Sequence, residues 1–280
     1  MTGQTLIWVD GERADVLPLP DRGLDFGDGL FETLLLEYGE LRYTDLHLQR
    51  LQRGLALLSF PDCLSVANKH LQIALTQLQL NNWSRAALRL TVTRGDGPRG
   101  YAPPRKPQAR IIIRATQLAN GDGLLPQAAH LITATTRWGS QPQLAGIKHL
   151  NRLEQVLAAA EWQRAGADEA LMLGQASQLV SVTAGNLFLH RDGVLYTPSL
   201  DDCGIAGTRR QLVIEQWAAA IGLQVVVAAG LDQDALEQAD EVFYSNTLWG
   251  LRPVASCGSR HWHSHPVCNA LFQHYRGEQA

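Results

Sequence analysis

Residues 119–127, ANGDGLLPQ, concentrate Gly, Asn, Asp and Pro between two β-rich runs, and a stretch of that kind breaks helices and strands alike. In a chain of 280 residues this break matters, because single domains hold roughly 100–200 residues. The reading is therefore two domains: a smaller N-terminal α/β domain over 1–118, a linker over 119–127, and a larger C-terminal α/β domain over 128–280. At 45% hydrophobic and 18% charged residues, the composition is that of an ordinary globular protein with enough apolar mass for two cores.

The pattern within each part supports a mixed α/β (α+β) class. Leu6–Val9 followed by Asp10-Gly11 reads as a strand entering a turn, and Thr33–Glu37 and Leu41–Tyr43 bracket a hairpin. Thr44 or Asp45 can cap a helix carrying Leu46, Leu48, Leu51, Leu55, Leu57 and Leu58, and Ser65–Leu78 forms a second. Ala87–Thr93 alternates Leu88, Leu90 and Val92 with smaller or polar residues, and Arg110–Arg114 is again β-rich. Beyond the linker, strands at Leu131–Thr135, Glu169–Leu173, Leu187–Leu189, Gln224–Ala229 and Glu241–Ser245 interleave with helices at Leu150–Ala165 and Thr208–Ala220. The chemistry is expected where the two domains join.

A net charge of −3 implies neither nucleic acid nor an anionic membrane surface as a partner. The start MTGQTLIWVDGE lacks a signal-peptide pattern, and no run approaches the roughly 20 apolar residues of a membrane span, so a cytoplasmic protein is expected. Cys63, Cys203, Cys257 and Cys268 form no CxxC pair, which argues for reduced thiols and against a zinc site. His261-Trp262-His263-Ser264-His265 reads as a polar edge strand or loop, and no metal is expected.

Only three lysines occur, Lys69, Lys106 and Lys148. Lys69 falls in an exposed helix and Lys106 in the Pro/Arg-rich APPRKPQ, both settings for a solvated ammonium. Lys148 follows Leu144-Ala145-Gly146-Ile147, an apolar approach that strips water from the amine, disfavours its charged form and makes it a nucleophile. The competing reading is a lysine snorkelling at a helix start. For an anion, Gly204-Ile205-Ala206-Gly207-Thr208-Arg209-Arg210 puts Thr208 and Arg209 amides at a helix N-terminus, although a Gly–Thr start also serves as a plain cap. Arg50 is a second candidate, or else a solvent-facing helix charge, and Ser245-Asn246-Thr247 at a strand end is a third.

Taken together these residues resemble the fold-type IV family of pyridoxal-phosphate enzymes, which contains branched-chain aminotransferases, D-amino-acid aminotransferases and aminodeoxychorismate lyases. The resemblance runs through Asp21-Arg22-Gly23, Phe26–Thr33, His47–Leu51, Arg94–Tyr101, Lys148–Arg152, Asn186-Leu187-Phe188, Gly204–Arg210 and Ala239–Thr247. It implies a two-domain fold with a barrel-like C-terminal domain, a small-molecule substrate and a homodimer. It further implies pyridoxal 5'-phosphate as a Schiff base on Lys148, with Arg50, Gly207, Thr208, Arg209, Asn246 and Thr247 around the cofactor, and Phe31, Arg99 and Tyr101 at the substrate. Lys148–Val156 and Arg99-Gly100-Tyr101 resemble the lyase branch more than the aminotransferases. A same-fold aminotransferase and a degenerate, binding-only member are the rival readings.

One position departs from the family. Where relatives carry a glutamate that pairs with the protonated pyridine nitrogen, five residues before Asn186, this chain has Ser181. A serine can hydrogen-bond the ring nitrogen but cannot hold it as a cation, so the electron sink is weaker. An aminotransferase should suffer from that loss. A lyase whose elimination creates an aromatic ring has another driving force.

Overall fold

The computed structural model describes residues 3–119, 121 and 123–278; Asn120 and Asp122, inside the expected linker, and residues 1–2 and 279–280 of the expected domains lie outside the described residues. Two compact units emerge, Met1–Asp122 with Ile147–Asn151, and Gly123–Gly146 with Arg152–Ala280.

In the first unit, β1 (Thr5–Val9), β2 (Glu12–Arg13), β3 (Gly29–Glu37), β4 (Glu40–Leu41), β5 (Arg85–Thr93) and β6 (Arg110–Gln117) make one antiparallel sheet, in the order β2-β1-β6-β5-β3-β4. Helices α1 (Arg22–Phe26), α2 (Thr44–Leu57) and α3 (Leu64–Leu80) accompany it. The alternation in β5 sends Ala86, Leu88, Leu90 and Val92 to one face, each 0% exposed, opposite Leu36, Leu34, Glu32 and Leu30 of β3. On α3, Ala67, Leu71, Ala74 and Leu78 recur at helical spacing and are equally buried, so the helix lays one apolar stripe on the sheet. At Gly54 of α2 an added Cβ would stand 2.9 Å from Leu30 Cδ1, which is why the helix can approach β3 so closely.

The hairpin is tighter than its sequence suggests. Tyr38 and Gly39, both at positive φ (54° and 81°), form a two-residue turn, and the returning strand ends at Leu41. Tyr43, also left-handed, occupies the helix cap, so neither Thr44 nor Asp45 caps α2; Thr44 Oγ1 donates instead to the Leu41 carbonyl.

The second unit is built on β7 (Ala129–Thr133), β8 (Glu169–Leu173), β9 (Leu179–Val182), β10 (Asn186–Arg191), β11 (Val194–Pro198), β12 (Gln224–Ala228), β13 (Glu241–Asn246), β14 (Gly250–Cys257) and β15 (Arg260–His261). The strand order is β12-β11-β10-β13-β14-β7-β8-β9, with β15 on β14. Because β9, at one end, lies against β10 and β11, the mixed sheet curls into a half-barrel. Leu171, Leu173, Leu187, Leu189 and Val242 fill its core, and Phe188 stacks on Phe243 directly across the β10–β13 ladder, centroids 5.1 Å apart. Helix α4 (Leu153–Ala165) is followed by a helical run over 208–220, made of α5 (Thr208–Leu212), a π turn (Val213–Trp217) and α6 (Ala218–Ala220). Then come α7 (Gln233–Glu237) and α8 (Pro266–Gly277), the latter held at its start by Glu241, which accepts from the amides of Val267 and Cys268.

Several elements differ from the sequence reading. Helix α4 begins at Leu153, not Leu150, because 147–150 run extended beside β3, where Phe31 N donates to Lys148 O and Leu150 N to Gly29 O. Strands β9, β11 and β14 add to those expected; β9 is buried along its whole length and so lacks the period-two pattern that marks a strand. None of the described helices is long and apolar enough to cross a membrane.

Candidate active site

In the first unit the backbone of Lys148 is fixed by β3, whose Leu30 pairs with His149 in antiparallel fashion. Its side chain then crosses Phe31, with Nζ 4.4 Å from the ring centroid. Arg89, one strand over on β5, sets its guanidinium 3.7 Å from the same centroid. Burial, and next the positive charge of Arg114, lower the pKa of Arg89. One aromatic ring thus gathers the Lys148 amine and the Arg89 guanidinium. Lys148 is partly buried, whereas Lys69 and Lys106 are exposed.

Successive strand residues face opposite ways, so Glu32 points from β3 toward α2. There it accepts from Arg50 Nε at 2.8 Å, again from Arg50 Nη2, and is 2.7 Å from His47 Nδ1. Burial opposes ionisation of this carboxyl, but the Arg50 charge and the hydrogen bonds of Arg50 and His47 prevail and hold its pKa down at about 2. Arg50 is therefore a buried, oriented charge and not the solvent-facing one that its place on a helix allowed.

Arg99 and Tyr101 lie on an exposed loop. Tyr101 is 86% exposed, with its ring tilted on Phe26 at 5.4 Å. The loop is pinned from beneath by Arg22, whose guanidinium donates to the carbonyls of Gly100 and Tyr101 and to Asp28. Among the expected residues of this unit, Lys148 and Phe31 are brought together, while the side chains of Arg99 and Tyr101 stand in solvent.

In the second unit the turn 204–206 leads into α5. Gly146, two residues before Lys148 in the chain, bonds this turn twice, from its amide to Gly204 O and from Ala206 N to its own carbonyl. Asn186 Nδ2 holds Ile205 O at 2.8 Å, and a Cβ on Gly207 would stand 2.0 Å from Asn186 Oδ1, so only glycine fits there. No side chain caps the helix at Gly207. The buried guanidinium of Arg209 donates to Thr208 Oγ1 (3.3 Å) and Thr247 O (3.5 Å), which gathers three of the expected phosphate residues. Ser245 Oγ is buried beside them in sequence and has no partner among the described residues. Asn246 spends its Oδ1 on the amides of Leu248 and Trp249 and so shapes the strand-end turn. An uncapped helix start, a buried guanidinium and buried hydroxyls suit a phosphate.

Ser181, on β9, is 3% exposed, and its Oγ accepts from Trp138 Nε1 at 2.9 Å. Arg152 stacks its guanidinium over the Trp138 ring, 5.4 Å from the centroid. Burial lowers the pKa of Arg152 to about 10, against the opposing charge of Glu154. Sequence reasoning missed Arg89, Glu32 and Trp138. Arg89 could have been found as the one charged position on the polar face of the alternating Ala87–Thr93 run; nothing in the sequence links Trp138 to Ser181.

Residues 29–257 match the family model of amino-transferase class IV. The chain belongs to the amino-transferase class IV family. The aminodeoxychorismate lyase of Vibrio harveyi is 33% identical over 89% of this chain and 90% of its own length. The crystal structure of 4-amino-4-deoxychorismate lyase from Pseudomonas aeruginosa superposes with a TM-score of 0.90 at 38% identity, covering 98% of this chain and 99% of that one. A D-alanine aminotransferase of Listeria monocytogenes is 30% identical over 87% of this chain and 83% of its own length. The relatives of this chain thus include both a lyase and an aminotransferase.

Proposed function

We propose that the chain is a pyridoxal-phosphate-dependent aminodeoxychorismate lyase, converting 4-amino-4-deoxychorismate to 4-aminobenzoate and pyruvate, with Lys148 as the residue that carries the cofactor. The observation that carries this reading is likeness along nearly the whole chain to two proteins of that name. Bound covalently, the cofactor supplies an electron sink next to the carbon that loses its proton. Lys148 is the only lysine of the three that is not exposed, which supports it as the nucleophile. Lys148 would hold the cofactor, and its amine when free would take the substrate's C4 proton and return a proton to the leaving enolpyruvyl group. Because β3 clamps its backbone, the amine moves only within the reach of its own side chain.

Thr208, Arg209 and Thr247, with the helix start at Gly207, hold the phosphate, and Arg50 adds positive charge; Asn246 shapes the turn that presents Thr247. Ser181 faces the ring nitrogen. The substrate is a dicarboxylate, and Arg89 beside Phe31 offers a guanidinium for one carboxylate while Arg99 and Tyr101 take the other. The exposed apolar side chains Val16, Leu19, Leu24 and Phe26, in the same unit as Tyr101, support a homodimer, and four buried free cysteines suit a reducing cytoplasm.

The test is pyruvate release from aminodeoxychorismate with no keto acid added. Stoichiometric pyruvate and 4-aminobenzoate establish the lyase; turnover that requires an amino acid together with a keto acid replaces it with the aminotransferase.

A further inference from the structure

We infer that Trp138 is a positioning residue for the cofactor: its indole N–H occupies the acceptor side of Ser181 Oγ and turns the serine hydroxyl into a donor that holds an unprotonated pyridine nitrogen. The inference rests on the proposed function only in taking that ring as the ligand facing Ser181.

An indole nitrogen can only donate, so in the 2.9 Å Trp138–Ser181 bond the serine must be the acceptor. A hydroxyl has one proton, and Ser181 gives its proton to none of the described residues although its side chain is almost fully buried. A buried donor without an acceptor is costly, which points to a ligand atom carrying a lone pair. The same bond polarises the hydroxyl, strengthening it as a donor and weakening it as an acceptor. A pyridinium N–H aimed at Ser181 Oγ would share that oxygen with the indole N–H and leave the buried hydroxyl proton without an acceptor.

The surroundings act in the same direction. The Arg152 guanidinium over the Trp138 ring makes the indole N–H a stronger donor and adds positive charge on this side of the serine. Glu154, at the start of the adjoining α4, is engaged with the Gly139 amide at 2.8 Å, and Cys203 in the same cluster carries a thiol whose pKa burial pushes up to about 11. Among the described residues no carboxylate is hydrogen-bonded to Ser181 or Trp138. A donor-only contact leaves the ring nitrogen neutral, which fits a reaction driven by formation of an aromatic product.

The test is the nitrogen-15 resonance of protein reconstituted with ring-labelled pyridoxal 5'-phosphate. The wild type is expected at the position of an unprotonated, hydrogen-bonded pyridine. Ser181→Glu should move it far upfield to the pyridinium position, Ser181→Ala should move it downfield toward unbonded pyridine, and Ser181→Thr should restore it. Trp138→Phe should displace the wild-type resonance; if that variant does not fold, a benzothienylalanine at 138 keeps the shape, removes only the N–H and should displace it equally. A pyridinium resonance in the wild type, or one unmoved by loss of the indole N–H, overturns the inference while leaving the lyase intact. A protein that takes up no cofactor overturns both.

Discussion

Phe31 holds the ammonium of Lys148 and the guanidinium of Arg89 against one ring, 4.4 and 3.7 Å from its centroid. The ring sits on β3 and the arginine on the neighbouring β5, so the sheet register fixes which cation stands beside the lysine. Arg89 is the group in this arrangement suited to a substrate carboxylate. Replacing it by methionine keeps the stem over the ring and removes the charge. Loss of a charged hydrogen bond of about 1.5–3 kcal/mol should lower kcat/KM roughly 10- to 100-fold, chiefly through KM, with cofactor absorbance unchanged. Steady-state kinetics on Arg89→Met with wild-type constants would remove Arg89 from the substrate site.

Glu32 links the fold to acid stability. Its folded pKa, about 2, lies below the ordinary 4.5, so the stability it contributes is fully present above about pH 4.5 and is lost as the pH falls toward 2. Denaturant midpoints measured down this range should fall more steeply for the wild type than for Glu32→Gln. Near neutral pH the variant should be less stable by about 3–5 kcal/mol, since Arg50 is left buried without its counter-charge. Parallel acid curves for the two proteins would contradict this reading.

At Gly207 the constraint is steric. Gly207→Ala drives a methyl into Asn186 Oδ1, and Asn186 in turn anchors the carbonyl of Ile205 ahead of the helix start. The displaced cradle should bind pyridoxal 5'-phosphate roughly tenfold more weakly in a fluorescence titration, from an overpacking cost of about 1–3 kcal/mol. Unchanged affinity would mean that the phosphate lies elsewhere.

Leu71 tests the core alone. It is 0% exposed on the stripe that α3 lays on the sheet, and Leu71→Ala should cost about 2–5 kcal/mol in urea denaturation of the folded protein. Far smaller losses would show that α3 packs loosely.

The legible parts of this molecule are those in which local chemistry repeats. The alternation of Leu88, Leu90 and Val92 marked β5, and the buried stripe of α3 lay within the helix read from Ser65–Leu78. The turn ahead of Thr208 is legible as a helix start from its glycines, which serve a plain cap as well as an anion site; the bonds of Arg209 to Thr208 and Thr247 carry no such local signal. Other features carry no local signal. Leu179–Val182 is buried on both faces, so β9 and the surroundings of Ser181 could not be read from periodicity. The extended course of 147–150 depends on bonds to Gly29 and Phe31, more than a hundred residues earlier, and the Trp138–Ser181 bond spans 43 positions. Long-range pairing of this kind is decided by tertiary packing and not by propensity.

Reduction of the cofactor-loaded protein with borohydride, followed by peptide mass mapping, shows which residue carries the cofactor, because Lys69, Lys106 and Lys148 are the chain's only lysines. The phosphopyridoxyl mass is expected on the peptide containing Lys148, and Lys148→Ala should lose both that label and the absorbance of the bound cofactor. Label on Lys69 or Lys106 alone, or a Lys148→Ala protein that keeps the label and turns over at the wild-type rate, would contradict the account.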